Sequence, residues 1–182
     1  MGVGSHAKIV HFIDFGLSKE FRDPNTYLHI PFKKGLGLIG TAAFASINSH
    51  LGLELGRRDD LESLAYVLFY FLWGSLPWQG LGPKGKDILK SKQGIATLDL
   101  FHELPPEFRT FFEHCRSLSF DGKPNYDHLY HLFDNLLAKE GLRNEVTFDW
   151  DGAEAKTPGQ GLKSTSDVPP RARNPLRKCC AG

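Results

Sequence analysis

Apolar positions along the chain fall into blocks of different period, and each block predicts a different element. Lys8-Ile9-Val10-His11-Phe12-Ile13 is rich in β-branched and aromatic residues and ends at Asp14-Phe15-Gly16, which predicts a strand running into a turn. Residues 17–56 hold scattered glycines and prolines without a sustained period. A long irregular segment is expected there, and in compact domains such segments usually serve a function. Asp59-Asp60 then opens a helix expected to run through Leu64, Tyr66, Phe69 and Leu72 to a stop at Gly74, its acidic first turn matched to the helix dipole. Apolar residues surround this helix on all faces, which predicts packing on every side.

Three amphipathic segments follow. Lys84 to Lys92 is weakly helical. Pro105 to Ser119 sets Phe108, Phe111, Phe112, Cys115 and Leu118 on one face. Asn125 to Glu140 spaces Tyr126, Leu129, Tyr130, Phe133, Leu136 and Leu137 as a helix does, with Gly141 as its stop. The expected architecture is mainly α, with a small β element near the N-terminus. From Asp151 onward Gly, Pro, Ser and Thr dominate, so residues 151–182 are expected to form a disordered tail. That tail is basic, with a cluster at Arg171, Arg173, Arg177 and Lys178.

Composition narrows the functional classes. A formal net charge of +1 argues against a dedicated nucleic-acid surface, which needs a concentrated basic stripe. Three cysteines, two of them adjacent at Cys179 and Cys180, make no disulfide framework, and the N-terminus lacks the apolar core of a secretory signal. A reducing, cytoplasmic setting is therefore expected. The apolar run from Leu64 to Trp73 is too short to span a bilayer.

The chemistry-bearing candidate is Asp14-Phe15-Gly16. A carboxylate after a strand suits a Mg²⁺ ion, a hard cation that takes oxygen ligands and bridges nucleotide phosphates. The same tripeptide also serves as an ordinary strand-to-turn junction. Gly35-Leu36-Gly37-Leu38-Ile39-Gly40 spells a dinucleotide fingerprint, but no strand–helix pair frames it. His128 and His131 lie three apart on a predicted helix with no further ligand in view, so a zinc site is not expected.

Five ordered blocks together give a specific signal. Ile13-Asp14-Phe15-Gly16-Leu17-Ser18-Lys19, then Gly40-Thr41-Ala42 leading to Ser46-Ile47-Asn48, then His50-Leu51-Gly52 with Arg57-Arg58-Asp59-Asp60-Leu61-Glu62-Ser63-Leu64, then Gly74-Ser75-Leu76-Pro77-Trp78-Gln79-Gly80, and finally Lys123-Pro124-Asn125-Tyr126-Asp127 occur in sequence. Over residues 1–150 the chain resembles the casein kinase 1 family of serine/threonine protein kinases. The resemblance implies a protein-kinase-like C-terminal lobe that uses ATP and Mg²⁺ and acts on protein substrates. Asp14 would hold the metal, with Phe15 and Gly16 completing the motif. Gly40, Thr41, Ala42, Ser46 and Asn48 would form the end of the activation segment and the substrate groove. Asp60 would be the acid that holds the catalytic loop, although a plain helix-capping aspartate is the other reading. Asn48 and Lys123 occupy the positions of a Glu–Arg latch found in most kinases, and the pair is expected to hydrogen-bond.

Some parts depart from the family pattern. Ala43 stands where relatives carry a basic residue that helps bind acidic or phosphorylated substrates, which puts that preference in doubt. The glycine-rich loop, the phosphate-anchoring Lys and the catalytic loop with its base and metal-binding Asn do not occur in the sequence. The chain is accordingly expected to be a truncated lobe with little catalysis of its own and exposed apolar surface, the alternative being a non-catalytic form that binds other proteins. Some members of the family end in paired cysteines that are palmitoylated, so the resemblance implies acylation of Cys179 and Cys180 and membrane contact through the basic tail, the other reading being two inert thiols.

Overall fold

The computed structural model describes residues 2, 6, 9–80, 85–94, 101 and 104–142. Among these the chain is mainly helical: α1 Ile47–His50, α2 Arg57–Trp73, α3 Gly85–Gly94, α4 Pro106–Ser117 and α5 Tyr126–Lys139. The chain divides into two units, 1–133 and 134–182, and the divide falls inside α5. The second unit is described only through the end of that helix, where Gly141 adopts φ 71°. The expected tail with Cys179 and Cys180 lies outside the described residues.

The central helix α2 begins at Arg57, two residues before the expected Asp59-Asp60 opening, and stops as expected at Gly74, whose φ of 77° suits a glycine and whose N–H donates to Tyr70 O at 2.8 Å. It buries one face, formed by Asp59, Glu62, Ala65, Tyr66 and Phe69. Tyr66 packs edge-on against Trp78 at 5.0 Å, and Phe69 lies 5.3 Å from Phe101 and 5.8 Å from Phe112. α4 brings Phe108, Phe111, Phe112 and Cys115 to the interior on the face that the sequence predicts. Each such aromatic contributes about 1.5–3 kcal/mol by leaving water, so this cluster is the core of the first unit. Burial also pushes the Cys115 thiol pKa up to about 12, with the Glu62 charge adding to it, so the group stays a neutral filler.

Two expectations are corrected. The central helix is not packed on every side: Phe71 is 73% exposed and Leu64 41%. α4 packs against α2, yet Leu64 and Phe71 of α2 remain exposed. The strand expected over Lys8–Ile13 is also not formed; residues 9–14 carry no regular structure, and Phe12 and Ile13 are exposed. A strand exists only when its backbone groups find a neighbouring strand. In place of a β element the described residues hold two isolated bridges, Arg22 with His29 and Lys34 with Leu53.

The irregular stretch that follows is held by local bonds and by aromatic contacts. Asp23 Oδ1 accepts from Asn25 N at 2.8 Å and Thr26 N at 2.7 Å, closing a turn between the first bridged pair. His29 and Phe32 both lie against Phe120, at 4.5 and 5.1 Å. Gly52, at φ 65°, receives Leu36 N on its carbonyl at 2.9 Å, and a Cβ there would fall 2.4 Å from Leu36 O. Only glycine admits that approach. No helix of the described residues is long and apolar enough to cross a membrane.

Candidate functional site

One cavity of about 520 Å³ gathers Asp14, Gly40, Thr41, Ser46 and Asp60, five of the residues singled out in the sequence. Asp14 enters it from the turn before a short 3₁₀ segment, Phe15–Leu17. Its backbone is left-handed, φ 62° and ψ 73°, and its Oδ1 accepts from Gly16 N at 3.3 Å. Asp tolerates this conformation better than most residues because its short side chain bonds locally, as it does here. Phe15 is exposed, whereas Lys19, another residue of the cavity, pairs with Glu54.

The opposite wall is built around α1. Ser46 is its N-cap, accepting from Ser49 N at 3.1 Å. A helix this short needs outside support, and two acids on successive turns of α2 provide it. Asp59 Oδ1 accepts from Ser46 Oγ and from Asn48 Nδ2, both at 2.8 Å, while Oδ2 accepts from Gly56 N at 2.8 Å. Glu62 Oε1 accepts from Ile47 N at 3.1 Å and from Tyr66 Oη at 2.6 Å. Both acids are buried and both spend their oxygens on donors, so the carboxylates remain satisfied in the interior. The Tyr66 hydroxyl is driven upward in pKa by burial and then by the Glu62 charge, so it stays a donor.

Asp60, one residue on, behaves differently. Its side chain faces the cavity, and partial desolvation, followed by the neighbouring Asp59 charge, raises its pKa, with Lys19 opposing. The buried acid of the pair is therefore Asp59, not Asp60. The expected hydrogen bond between Asn48 and Lys123 is likewise replaced: Asn48 donates to Asp59, and Lys123 is exposed. The Asn48 amide donates because the Asp59 carboxyl lies within reach on α2, whereas the Lys123 side chain is left to solvent.

The turn joining Thr41 to Ser46 is fastened through its carbonyls. Ala43 O accepts from Trp78 Nε1 at 2.7 Å. Lys92 Nζ, buried, donates to Ala42 O at 3.0 Å and to Ala45 O at 2.6 Å. Within the turn, Thr41 O accepts from both Phe44 N and Ala45 N at 2.9 Å. His50 Nε2 lies 3.0 Å from Ala42 O and 3.3 Å from Lys92 Nζ. The Lys92 nitrogen also sits 4.5 Å from the Tyr66 ring and 5.0 Å from the Trp78 ring. Burial lowers the Lys92 pKa to about 7, against which the Glu62 charge pulls upward. Burial, and then the nearby Lys92, lowers His50.

A scan against models of known protein families finds no match to this chain. The cavity is thus read from its own chemistry: a carboxylate on a left-handed turn, a second carboxylate in the same lining, and a wall locked by buried acids. Among the described residues no three His, Cys, Asp or Glu side chains come together as a metal cage. Asp14 would supply one oxygen ligand to a Mg²⁺ whose remaining sites go to phosphates and water, as is usual for that ion. Asp59, Glu62 and His50 stood in the sequence motifs, and Lys92 at the end of a weakly helical segment, but none was given a role in the site. Asp59, Glu62 and Tyr66 recur at i, i+3 and i+7, which sets both acids on the face that carries the core, and that spacing was the available signal.

Proposed function

We propose that the chain is the C-terminal lobe of a casein kinase 1-type protein kinase, a catalyst of phosphoryl transfer from Mg-ATP to serine and threonine hydroxyls. The observation that carries this reading is the single cavity joining Asp14 to the Gly40–Ser46 wall, with Ser46 and Asn48 bound to a buried aspartate of α2. In this reading Asp14 contributes an oxygen to the metal that neutralises the phosphates. Gly40 and Thr41 border the acceptor peptide. Phosphoryl transfer depends on positioning and charge stabilisation more than on covalent chemistry by the protein. A wall fixed by buried hydrogen bonds is suited to that task. The catalytic base and the nucleotide-anchoring lysine would have to come from residues outside this sequence.

A second reading has its own support. Leu61, Leu64, Leu68, Phe111, Leu129 and Phe133 line an apolar cavity of about 340 Å³ where α2, α4 and the first turns of α5 meet. That surface suits a protein-binding module without catalysis. One experiment separates the two. Antibody against residues 151–182 captures the endogenous protein, whose intact mass is measured before incubation with Mg-ATP and an acidic serine peptide. The kinase reading expects a mass above that of the 182-residue chain and phosphate incorporation that Asp14→Asn abolishes. No incorporation overturns it, and a mass equal to the chain's then leaves the binding module in possession.

A further inference from the structure

The stretch from Ile9 to Ile13 has the composition of a strand and nothing beside it. Val10 is 71% exposed, Phe12 84% and Ile13 83%, although such side chains suit a half-buried pleated surface. The backbone N–H and C=O groups of residues 10–13 bond to no described residue, and neither isolated bridge involves them. Ile9 differs. Its N–H donates to His6 O at 2.9 Å, and its carbonyl accepts from Gly2 N at 3.0 Å. In an extended chain the backbone groups of alternate residues point to opposite edges. The edge shared by Ile9, His11 and Ile13 is therefore closed at its start by this chain, while the edge of Val10 and Phe12 is open.

Charge at the two ends of the stretch says what fits that open edge. It is preceded by Lys8, just outside the described residues, and it ends at Asp14, whose backbone turns left-handed. An antiparallel second copy with His11 on the two-fold axis sets Val10 against Phe12 and Ile9 against Ile13. The same register sets Lys8 against Asp14 at both ends. Val10 and Phe12 then exchange the hydrogen bonds, and the groups that Ile9 has already spent are not needed. Moving the axis by one residue sets Lys8 against Phe12 or Asp14 against Val10, and a parallel pair sets like charges together. Only the register centred on His11 matches charge with charge and apolar with apolar.

We propose that the chain pairs with a second copy of itself through residues 9–13, as an antiparallel strand pair centred on His11 and closed by Lys8–Asp14 ion pairs. This interface goes beyond the kinase reading and does not rest on it. The contact is small, so a dissociation constant on the order of 10 µM is expected.

Cross-linking of the full chain tests the register, with Cys179→Ser and Cys180→Ser leaving only the buried Cys115. Facing Cα atoms of a non-hydrogen-bonded pair lie about 4.5 Å apart, within disulfide reach. His11→Cys should therefore oxidise to a covalent dimer. Val10→Cys should not, because the two copies of residue 10 are offset along the strands by about 7 Å. In sedimentation equilibrium, Lys8→Asp and Asp14→Lys should each weaken the dimer roughly tenfold, and the double variant should restore it. Far-UV circular dichroism checks that each variant is folded, and the cross-link decides where a charge variant is not. A chain that stays monomeric at about 200 µM overturns the proposal and leaves the edge to a strand of another sequence. Equal cross-linking at residues 10 and 11, or a double variant no tighter than the single ones, also overturns it, and association then runs through another surface.

Discussion

Adjacent aspartates at 59 and 60 differ in what surrounds them, and their removal should separate them. Asp59→Ala strands the Ser46 hydroxyl, the Asn48 amide and the Gly56 N–H in the interior. A loss of about 3 kcal/mol is expected, whereas Asp60→Ala should cost under about 1 kcal/mol; urea unfolding of both variants is the check. The sign for Lys92 is equally definite. Its folded pKa of about 7 lies below the ordinary 10.5, so between those values the unfolded chain holds the extra proton. Stability therefore rises as pH rises from 7 toward 10.5, by at most about 1.4 kcal/mol per pH unit from this group, and is insensitive to it below 7. His50, also lowered, adds a loss in the same sense on further acidification. Urea midpoints at pH 7 and pH 9.5 should show the rise, and Lys92→Met should flatten it.

At the level of elements, α4 and α5 were legible from their apolar period, and α2 from its acidic first turn, its apolar run and its stop at Gly74. Gly74 and Gly141 sit at positive φ where the pattern ends. The Lys8–Ile13 strand was misread because β structure is a property of pairs, and composition alone does not supply the partner. The site was half legible for a related reason. Asp14, Gly40, Thr41 and Ser46 stand in recognisable short motifs, while Lys92 is one lysine among several in a weakly helical stretch, and only tertiary packing shows that it points inward. The exposed side of α2 leads to a prediction at this scale. Phe71 is 73% exposed, and Phe71→Lys should change the unfolding midpoint little while reducing self-association. Sedimentation velocity of both forms measures the difference.

For the molecule as a whole, the buried acids and the buried lysine do one job together. Asp59 and Glu62 hold α1 from α2, and Lys92 with Trp78 holds the preceding turn. The cavity wall is therefore a rigid part of the fold, not a loose loop laid over it. Every bond from Lys92 and Trp78 to that turn ends on a main-chain oxygen, at Ala42, Ala43 or Ala45. Side chains at 42 and 43 thus carry little of the turn's shape. Ala43→Arg should fold within about 0.5 kcal/mol of the parent, checked by thermal unfolding, while placing a guanidinium next in sequence to Phe44, which lines the cavity. Shape and charge are written on different atoms here, so the charge beside this cavity can be retuned by single codon changes, with the scaffold left indifferent to the choice.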